Sequence, residues 1–482
     1  MIVERWADTT YAEGPGLPAT SVQPAAAPDG ALTSIYRPLG RRAGRHLDGR
    51  LVFYAAFWLA LGTTVALWWV DTPGRSITDT AGVLVAAGQL TGLIGGFTLL
   101  FEIFLMSRVG WLERSVGAHR LLIWHRELGG FLLIAILAHM ALVIVGYAES
   151  SQATVGAETW TMLTTYEDMI SAFVATGILV VVAVLAIRAI RMVMPYELWY
   201  YLHHGAYLVL LLSYGHQFAN GQELVPGSFG RSYWASLYLF VLGSLAWGRF
   251  LRPLRFNLRH RLHVIGVSHE GLDMVSVYIG GRRLDEMTTR AGQYFRWRFV
   301  AAKCWWQAHP FSLSAAPNDQ WLRLTIKAVG GHTERLRGLE PGVRVFAEGP
   351  SGMFTADRRL SNRALLIAGG SGIAPIRALL EELPRQTVVI YRAHSEAELV
   401  FREELDWLAR DRDAQVWYVL GSRDDPGPRH LFSPRGLREL VPDVSGRDVY
   451  LCGPPGLVDT SLAVLRRLRV PRRQVHLDPF EF

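Results

Sequence analysis

Six apolar stretches constrain this chain more than any other feature: about residues 51–70, 83–106, 121–147, 169–190, 198–219 and 233–250. Each is close to the ~20 residues an α-helix needs to cross a ~30 Å hydrocarbon layer. No water is present there to satisfy a peptide N–H or C=O, so a stretch entering that layer is driven to become a helix. The expected first half is therefore a six-helix transmembrane bundle, residues 49–252. The 482-residue chain is 50% hydrophobic and 19% charged. The apolar excess lies mostly in the first half, which leaves the second half to fold as water-facing domains.

Charge sets the expected orientation. Arg108, Arg114 and Arg120 lie between the second and third stretches, Arg188 and Arg191 between the fourth and fifth, and Arg249, Arg252, Arg255 and Arg259 after the sixth. The alternate loops carry Asp71 and Asp79, then Glu149, Glu158, Glu167 and Asp168, then Glu223. By the positive-inside rule both termini and the second half face the cytoplasm, in a multi-pass protein of the cell membrane. The net charge of +7 is explained by these flanking arginines, so a nucleic-acid partner is not expected. Residues 1–48, rich in Ala, Pro and Gly and basic at Arg37, Arg41, Arg42 and Arg45, read as a disordered cytoplasmic arm without a cleavable signal pattern. Cys304 and Cys452 are too few for a disulfide framework or a zinc site.

Within the third stretch lie His125 and His139, and within the fifth His203 and His216. Ionisable residues inside a span are costly and call for a partner. On the predicted topology the two spans run the same way, and separations of 14 and 13 residues place the two histidine levels ~20 Å apart at ~1.5 Å per residue. Two stacked b-type haems, each held by one His from each span, meet the demand: His125 with His203 and His139 with His216. No CxxCH occurs, so such haems carry no thioether link. Fourteen residues return to within about 40° of one helix face, whereas thirteen miss by about 140°. The fifth span therefore needs a locally tightened turn or a differently angled ring, and His204 is the rival ligand. His119 reads as an exposed loop residue. Arg120, Arg126 and Arg191 suit haem propionates or ordinary interfacial charge equally well.

After Arg252-Pro253 the pattern changes. Residues 253–360 alternate apolar and polar in short runs such as LDMVSVYI and QYFRWRF, which predicts an antiparallel β-barrel. Residues 361–482 alternate strands (ALLIAGG, TVVIYRA, QVWYVLG, DVYLCGP) with helices, which predicts an α/β Rossmann-like domain. In the barrel, His309-Pro310-Phe311-Ser312-Leu313-Ser314 offers a fixed chain, a flat apolar face and hydroxyls, as a flavin requires. Thr333 joins this candidate cofactor-binding set. In the last domain, Gly369-Gly370-Ser371-Gly372, with Pro375 just beyond, follows a strand and opens a helix, where backbone N–H groups can meet a pyrophosphate. Later strands end in Gly421-Ser422-Arg423 and Cys452-Gly453-Pro454, the ends at which such sheets bind ligands. Arg392 and Arg423 suit a 2′-phosphate, which favours NADPH over NADH, or an exposed salt bridge.

Taken together, these residues resemble the NADPH oxidase and ferric reductase superfamily in its bacterial membrane form, over roughly residues 50–482. WYYLHHGAY is similar to the family's fifth-span signature, HPFSLSAAP to its flavin motif, AGGSGIAP to its nucleotide loop and LCGPPG to its nicotinamide-side motif. The resemblance implies FAD, two b haems and NAD(P)H as cofactors, and His203 rather than His204 as ligand. It also implies Cys452 and Phe482 as the pair at the flavin–nicotinamide contact, with Phe482 covering the flavin until nicotinamide displaces it. Two departures stand out. Val143 occupies the place of a further His that dedicated superoxide producers often carry, and Val209 and Leu210 stand where an aromatic residue lies between the haems, leaving Phe131 as a substitute. The expected function is electron transfer from cytosolic NAD(P)H through FAD and two haems to a ferric chelate or to O2. No obligate protein partner is expected on this reading. The alternative is an electron-delivery subunit that reduces a separate extracytoplasmic protein. A third reading, histidines as a proton relay without redox chemistry, has the flavin motifs against it.

Overall fold

The computed structural model describes residues 49–72, 77–221, 224–301, 305–328 and 330–479. The N-terminal arm, Glu223, Cys304 and Phe482 lie outside the described residues. The chain divides at Arg252/Pro253 into two compact units.

The first unit is helical: α1 Gly49–Asp71, α2 Thr80–Leu105, α3 Gly110–Val116, α4 Ala118–Ser150, α5 Val155–Thr165, α6 Met169–Ala186, α7 Arg188–Val193, α8 Tyr196–His203, α9 Gly205–Asn220 and α10 Phe229–Ala246. A π turn at Trp247–Leu251 carries α10 on into α11, Arg252–His260. Among the described residues, five helices are long and apolar enough to cross a membrane: Leu51–Val70, Thr80–Leu105, Ala118–Ser150, Met169–Ala186 and Phe229–His260. They make this a multi-pass membrane protein. Large apolar side chains such as Leu59, Trp69, Leu211 and Leu239 stand exposed on the bundle, as a lipid-facing surface requires.

The fifth expected span differs from a single six-helix count: it is two helices, α8 and α9, broken at His204. There His204 N bonds to Tyr201 O at 3.2 Å and Tyr207 N to His204 O at 3.0 Å, both one residue tighter than an α-helical bond. This tight turn changes the rotational phase between residues 203 and 216, which a continuous helix leaves on different faces.

Helix α2 begins under an Asp79 cap that accepts from Gly82 N at 2.7 Å. Its small residues then let α4 approach closely: a Cβ on Gly88 would meet Val143, one on Gly92 the His139 ring, and one on Gly95 Ile136. Without a hydrophobic drive between helices in lipid, such close van der Waals contact is what holds them.

The second unit begins with two three-stranded antiparallel sheets. Strands β1 His263–Glu270, β2 Met274–Gly280, β3 Tyr294–Phe299, β4 His309–Ser312, β5 Leu322–Lys327 and β6 Val345–Ser351 pair in the orders β1-β2-β5 and β4-β3-β6. Alternation in YFRWRF puts Phe295, Trp297 and Phe299 wholly inside, between the sheets. The expected antiparallel β-barrel takes the form of two sheets joined by the bridges Leu313–Leu324 and His263–Arg344. The four-residue β4 contains Pro310, which has no N–H to extend a ladder. A short helix, α12 Gly331–Arg335, follows β5.

The last domain comprises β7 Ala364–Gly369, α13 Ile373–Glu382, β8 Val388–Arg392, α14 Arg402–Asp411, β9 Gln415–Val419, α15 Pro426–Leu431, α16 Pro434–Leu440, β10 Asp448–Gly453, α17 Pro455–Arg467 and β11 Val475–Pro479. Its parallel sheet has the order β11-β10-β7-β8-β9. Helices cover both faces: Leu366, Ala368 and Tyr450 enter one core, and Leu365, Ile367 and Leu451 the other. That is why β7 and β10 read as unbroken apolar runs. The strand order reverses between β7 and β10, so their carboxyl ends flank the crevice where such sheets bind ligands.

Candidate electron-transfer sites

The nucleotide loop lies at that crevice. Gly370 has φ +53°, in the left-handed region, and the tight turn Gly370–Gly372 feeds directly into α13. A side chain on Gly372 would run into the Cys452 carbonyl, so only glycine lets the loop lie against the end of β10. Gly369 packs beside Gly453 and Pro454 on the neighbouring strand end. Pro375 falls in the first turn of α13, where its missing N–H costs nothing. Backbone N–H groups at a helix N-terminus suit an anionic pyrophosphate.

Three side chains converge beside the loop. Cys452 pairs in register with Asp478 on β11, and its Sγ donates to the Asp478 main-chain oxygen at 3.4 Å. Ser312, at the end of β4, donates to the Asp478 carboxylate at 3.2 Å. Burial pushes the Asp478 carboxyl up to about 7, and burial followed by the Asp478 charge pushes the Cys452 thiol well above its ordinary value. Asp478 was not singled out from sequence. Its signal was an acid in the apolar strand VHLDP, at the register position facing the cysteine. A carboxyl whose folded value lies above its unfolded ~3.9 holds its proton in the folded state, so stability is greatest in acid and falls as pH rises from about 4 to about 7. We expect Asp478→Asn to flatten the fall in the flavin-release temperature between pH 5 and pH 8, measured by flavin fluorescence. The full effect of three pH units is at most ~4 kcal/mol.

On the flavin side, His309, Pro310 and Phe311 are part-exposed, with the His309 and Phe311 rings stacked 6.2 Å apart. The Phe311 carbonyl accepts from Trp297 Nε1 at 3.0 Å, which pins this strand to the core. These residues fit a flat apolar ring system. Leu313 and Ser314 differ from expectation: both are fully buried, and the Ser314 hydroxyl meets Arg323 and Thr325. They support the strand from below. The Thr333 hydroxyl closes its own turn on Gly330. Arg392 donates to the carbonyls of Ala393, Val419 and Gly421, clamping the ends of β8 and β9. Arg423 is exposed, with one 3.4 Å bond to Thr460, and is the better placed of the two for a phosphate.

In the membrane unit the four histidines form two pairs. The rings of His125 and His203 lie 5.9 Å apart, and those of His139 and His216 6.4 Å apart. A metal held between two imidazole nitrogens at ~2 Å each puts the ring centroids a little over ~6 Å apart. Among the described residues no three His, Cys, Asp or Glu side chains converge as a metal-ligand set. Paired imidazoles thus fit a group that brings its own in-plane donors, as a porphyrin does. The His203 Nδ1 is buried without a hydrogen-bond partner. His204 turns away, its Nδ1 against Tyr200 O at 2.6 Å. His119 is exposed, Phe131 about half exposed, and Val209 and Leu210 are buried between the two levels. Arg191 lies over the Trp199 ring.

Sequence reasoning missed the supports behind two of these rings. His125 Nδ1 meets the Glu102 carboxylate, and His139 Nδ1 lies 2.7 Å from the Gly88 carbonyl. The signal for Glu102 was available: it is the one ionisable residue in α2. The role of Gly88 depends on backbone proximity, which no residue type announces.

The membrane unit and the two ligand-binding domains together define a membrane-embedded oxidoreductase with FAD- and NAD(P)H-binding domains. Residues 91–214 match the family described as a ferric reductase like transmembrane component, residues 260–354 an FAD-binding domain and residues 366–462 an oxidoreductase NAD-binding domain. In this order they match the architecture of the ferric reductase and NADPH oxidase superfamily. Among curated proteins, the chain is 29% identical to a ferredoxin–NADP reductase B of Sorangium cellulosum, over 36% of this chain and 77% of that one. It is 34% identical to a probable dihydroorotate dehydrogenase B electron transfer subunit of Methanopyrus kandleri, over 32% and 57%. It is 28% identical to the reductase subunit of an aromatic O-demethylase of Amycolatopsis, over 48% and 72%. The chain spans 42–60% of the length of further relatives.

Proposed function

We propose that this protein carries electrons across a membrane, from NAD(P)H on the cytoplasmic side to an acceptor on the other. The observation that carries the reading is the pairing of four intramembrane histidines at two levels, in a chain that also holds FAD- and NAD(P)H-binding domains. When bound, the nicotinamide supplies hydride, FAD converts a two-electron input to single electrons, and the haems pass single electrons on.

The residues divide the work as follows. Gly369–Gly372 and the α13 N-terminus hold the pyrophosphate of the nicotinamide cofactor, and Arg423 approaches a 2′-phosphate. Cys452, Ser312 and Asp478 form the polar edge of the hydride-transfer site, whose burial excludes water. His309, Pro310 and Phe311 seat the flavin. His125 with His203, and His139 with His216, hold two haems. The arginine-bearing loops support a cytoplasmic side for the termini and the flavin module.

For the acceptor, the relatives favour a protein. They are named as a reductase component, a reductase subunit and an electron transfer subunit. We therefore place delivery to a separate extracytoplasmic protein ahead of ferric chelate or O2. The test is anaerobic NADPH reduction of the purified protein, read in the haem Soret and flavin bands, followed by exposure to ferric chelate or oxygen. Haem reduction with slow reoxidation by both supports a protein acceptor. Rapid steady turnover with either small acceptor removes the need for one, and a protein without a Soret band sinks the transmembrane reading.

A further inference from the structure

We propose that Glu102 is a positioning residue for His125, and that it makes the His125–His203 haem site the more reducing of the two. The inference rests on the haem reading above.

Glu102 is 4% exposed, in the last turn of an apolar helix with no other charge. A carboxylate buried there costs several kcal/mol unless it meets a partner. The group it meets, in an ion-pair contact, is His125 Nδ1, and no other group among the described residues hydrogen-bonds either atom. Fourteen residues earlier on α2, the Gly88 carbonyl faces His139 Nδ1, and His139 lies fourteen residues beyond His125 on α4. Antiparallel α2 thus presents one support to each histidine of α4, at matching intervals. Both contacts use Nδ1 and leave Nε2 for a metal.

The two supports differ in charge. A ligating histidine donates its second N–H to a carboxylate or carbonyl, which fixes the ring and raises its basicity. A hydrogen bond to an ionised acceptor is about twice as strong as one to a neutral acceptor. His125 held by Glu102 is therefore the stronger donor to iron and favours the oxidised state more than His139 held by a neutral carbonyl. On the α9 side, among the described residues, His203 Nδ1 has no hydrogen-bond partner, His216 Nδ1 lies 3.3 Å from the Asn220 amide, and the Asp168 carboxylate stands beside Gly215, next to His216, without a hydrogen bond to either ring. An electron that enters at the His125 level then passes downhill to the His139 level.

The experiment is a spectroelectrochemical titration of the purified full-length protein, with haem counted independently as the pyridine haemochrome. Wild type is expected to show two midpoint potentials. In Glu102→Gln the lower rises toward the upper, the upper stays, and two haems remain bound. Glu102→Asp, which keeps the charge but withdraws it by one methylene, shifts the lower potential in the same direction by less, and serves if the glutamine variant does not accumulate. Independently, the haem left in His139→Ala must have a lower potential than the haem left in His125→Ala. Two bound haems whose potentials ignore both Glu102 substitutions overturn the role of Glu102 and leave the haem reading standing. Wild type without haem overturns both.

Discussion

We expect His139→Ala to purify with its FAD in place and, on the proposed haem assignment, with one haem per flavin against two in wild type. The argument is geometric. The His139 and His216 rings stand 6.4 Å apart, tilted by 52°, and no third metal-ligating side chain joins them among the described residues. Removing one imidazole leaves a single protein bond to that haem. The ring is also part of the helix packing, since Gly92 on α2 makes room for it and the Gly88 carbonyl accepts a hydrogen bond from its Nδ1–H. Alanine therefore loses both the ligand and the anchor. Reduction of FAD by NADPH is retained, because its residues lie in the other unit, while delivery of electrons to any extracytoplasmic acceptor falls by more than the ~10–100-fold that loss of a supporting partner costs. His204→Ala is the control: its Nδ1 is already held by Tyr200 O, so two haems remain. The haem-to-flavin ratio of the two purified variants decides the matter. Two haems in His139→Ala, or one in His204→Ala, refutes the assignment.

How far the sequence carried this reading depends on the range of the interactions involved. The long spans were legible because the hydrocarbon layer allows a stretch like Ala118–Ser150 nothing but a helix. The strands of the last domain were legible because burial on two faces leaves unbroken apolar runs. The fifth span was harder. WYYLHHGAYLVLLLSYGH reads as one apolar helical stretch, and its local signal for the tight turn at His204 is the single Gly205 that follows it. The need for such a turn was nonetheless visible, since thirteen residues do not return to one helix face. Ser314 was misplaced for a related reason. Alternation along HPFSLS is disturbed where β4 ends, and the hydroxyl that seemed free for a flavin turns into the core to meet Arg323 and Thr325. Asp478 and Glu102 were marked as acids in apolar elements, but their partners, like that of the Gly88 carbonyl, are distant in the chain and residue type alone cannot announce them.

The second large effect lies at the junction between the flavin and nucleotide domains. Arg323, on β5, is only 3% exposed, and its guanidinium donates to both oxygens of Glu404, at 2.8 and 2.9 Å. Arg377 Nε, on α13, lies 2.8 Å from the same carboxylate, and the Arg323 guanidinium stands 4.6 Å over the Phe401 ring. Burial would lift the Glu404 carboxyl, but the two guanidinium groups hold it below the ordinary carboxylate range. Glu404→Gln leaves Arg323 charged, buried and short of its bidentate acceptor. Breaking a buried pair from one side costs ~3–5 kcal/mol. Glu404 is itself 37% exposed, so water screens part of the loss and the lower end, ~3 kcal/mol, is the expectation. For a unit of this size that lowers the flavin-release temperature by roughly 6–12 °C. Replacing both partners, Arg323→Met with Glu404→Leu, recovers much of the loss, because no unpaired charge stays behind. A glutamine variant that melts within about 2 °C of wild type shows the junction to be held by its apolar contacts instead.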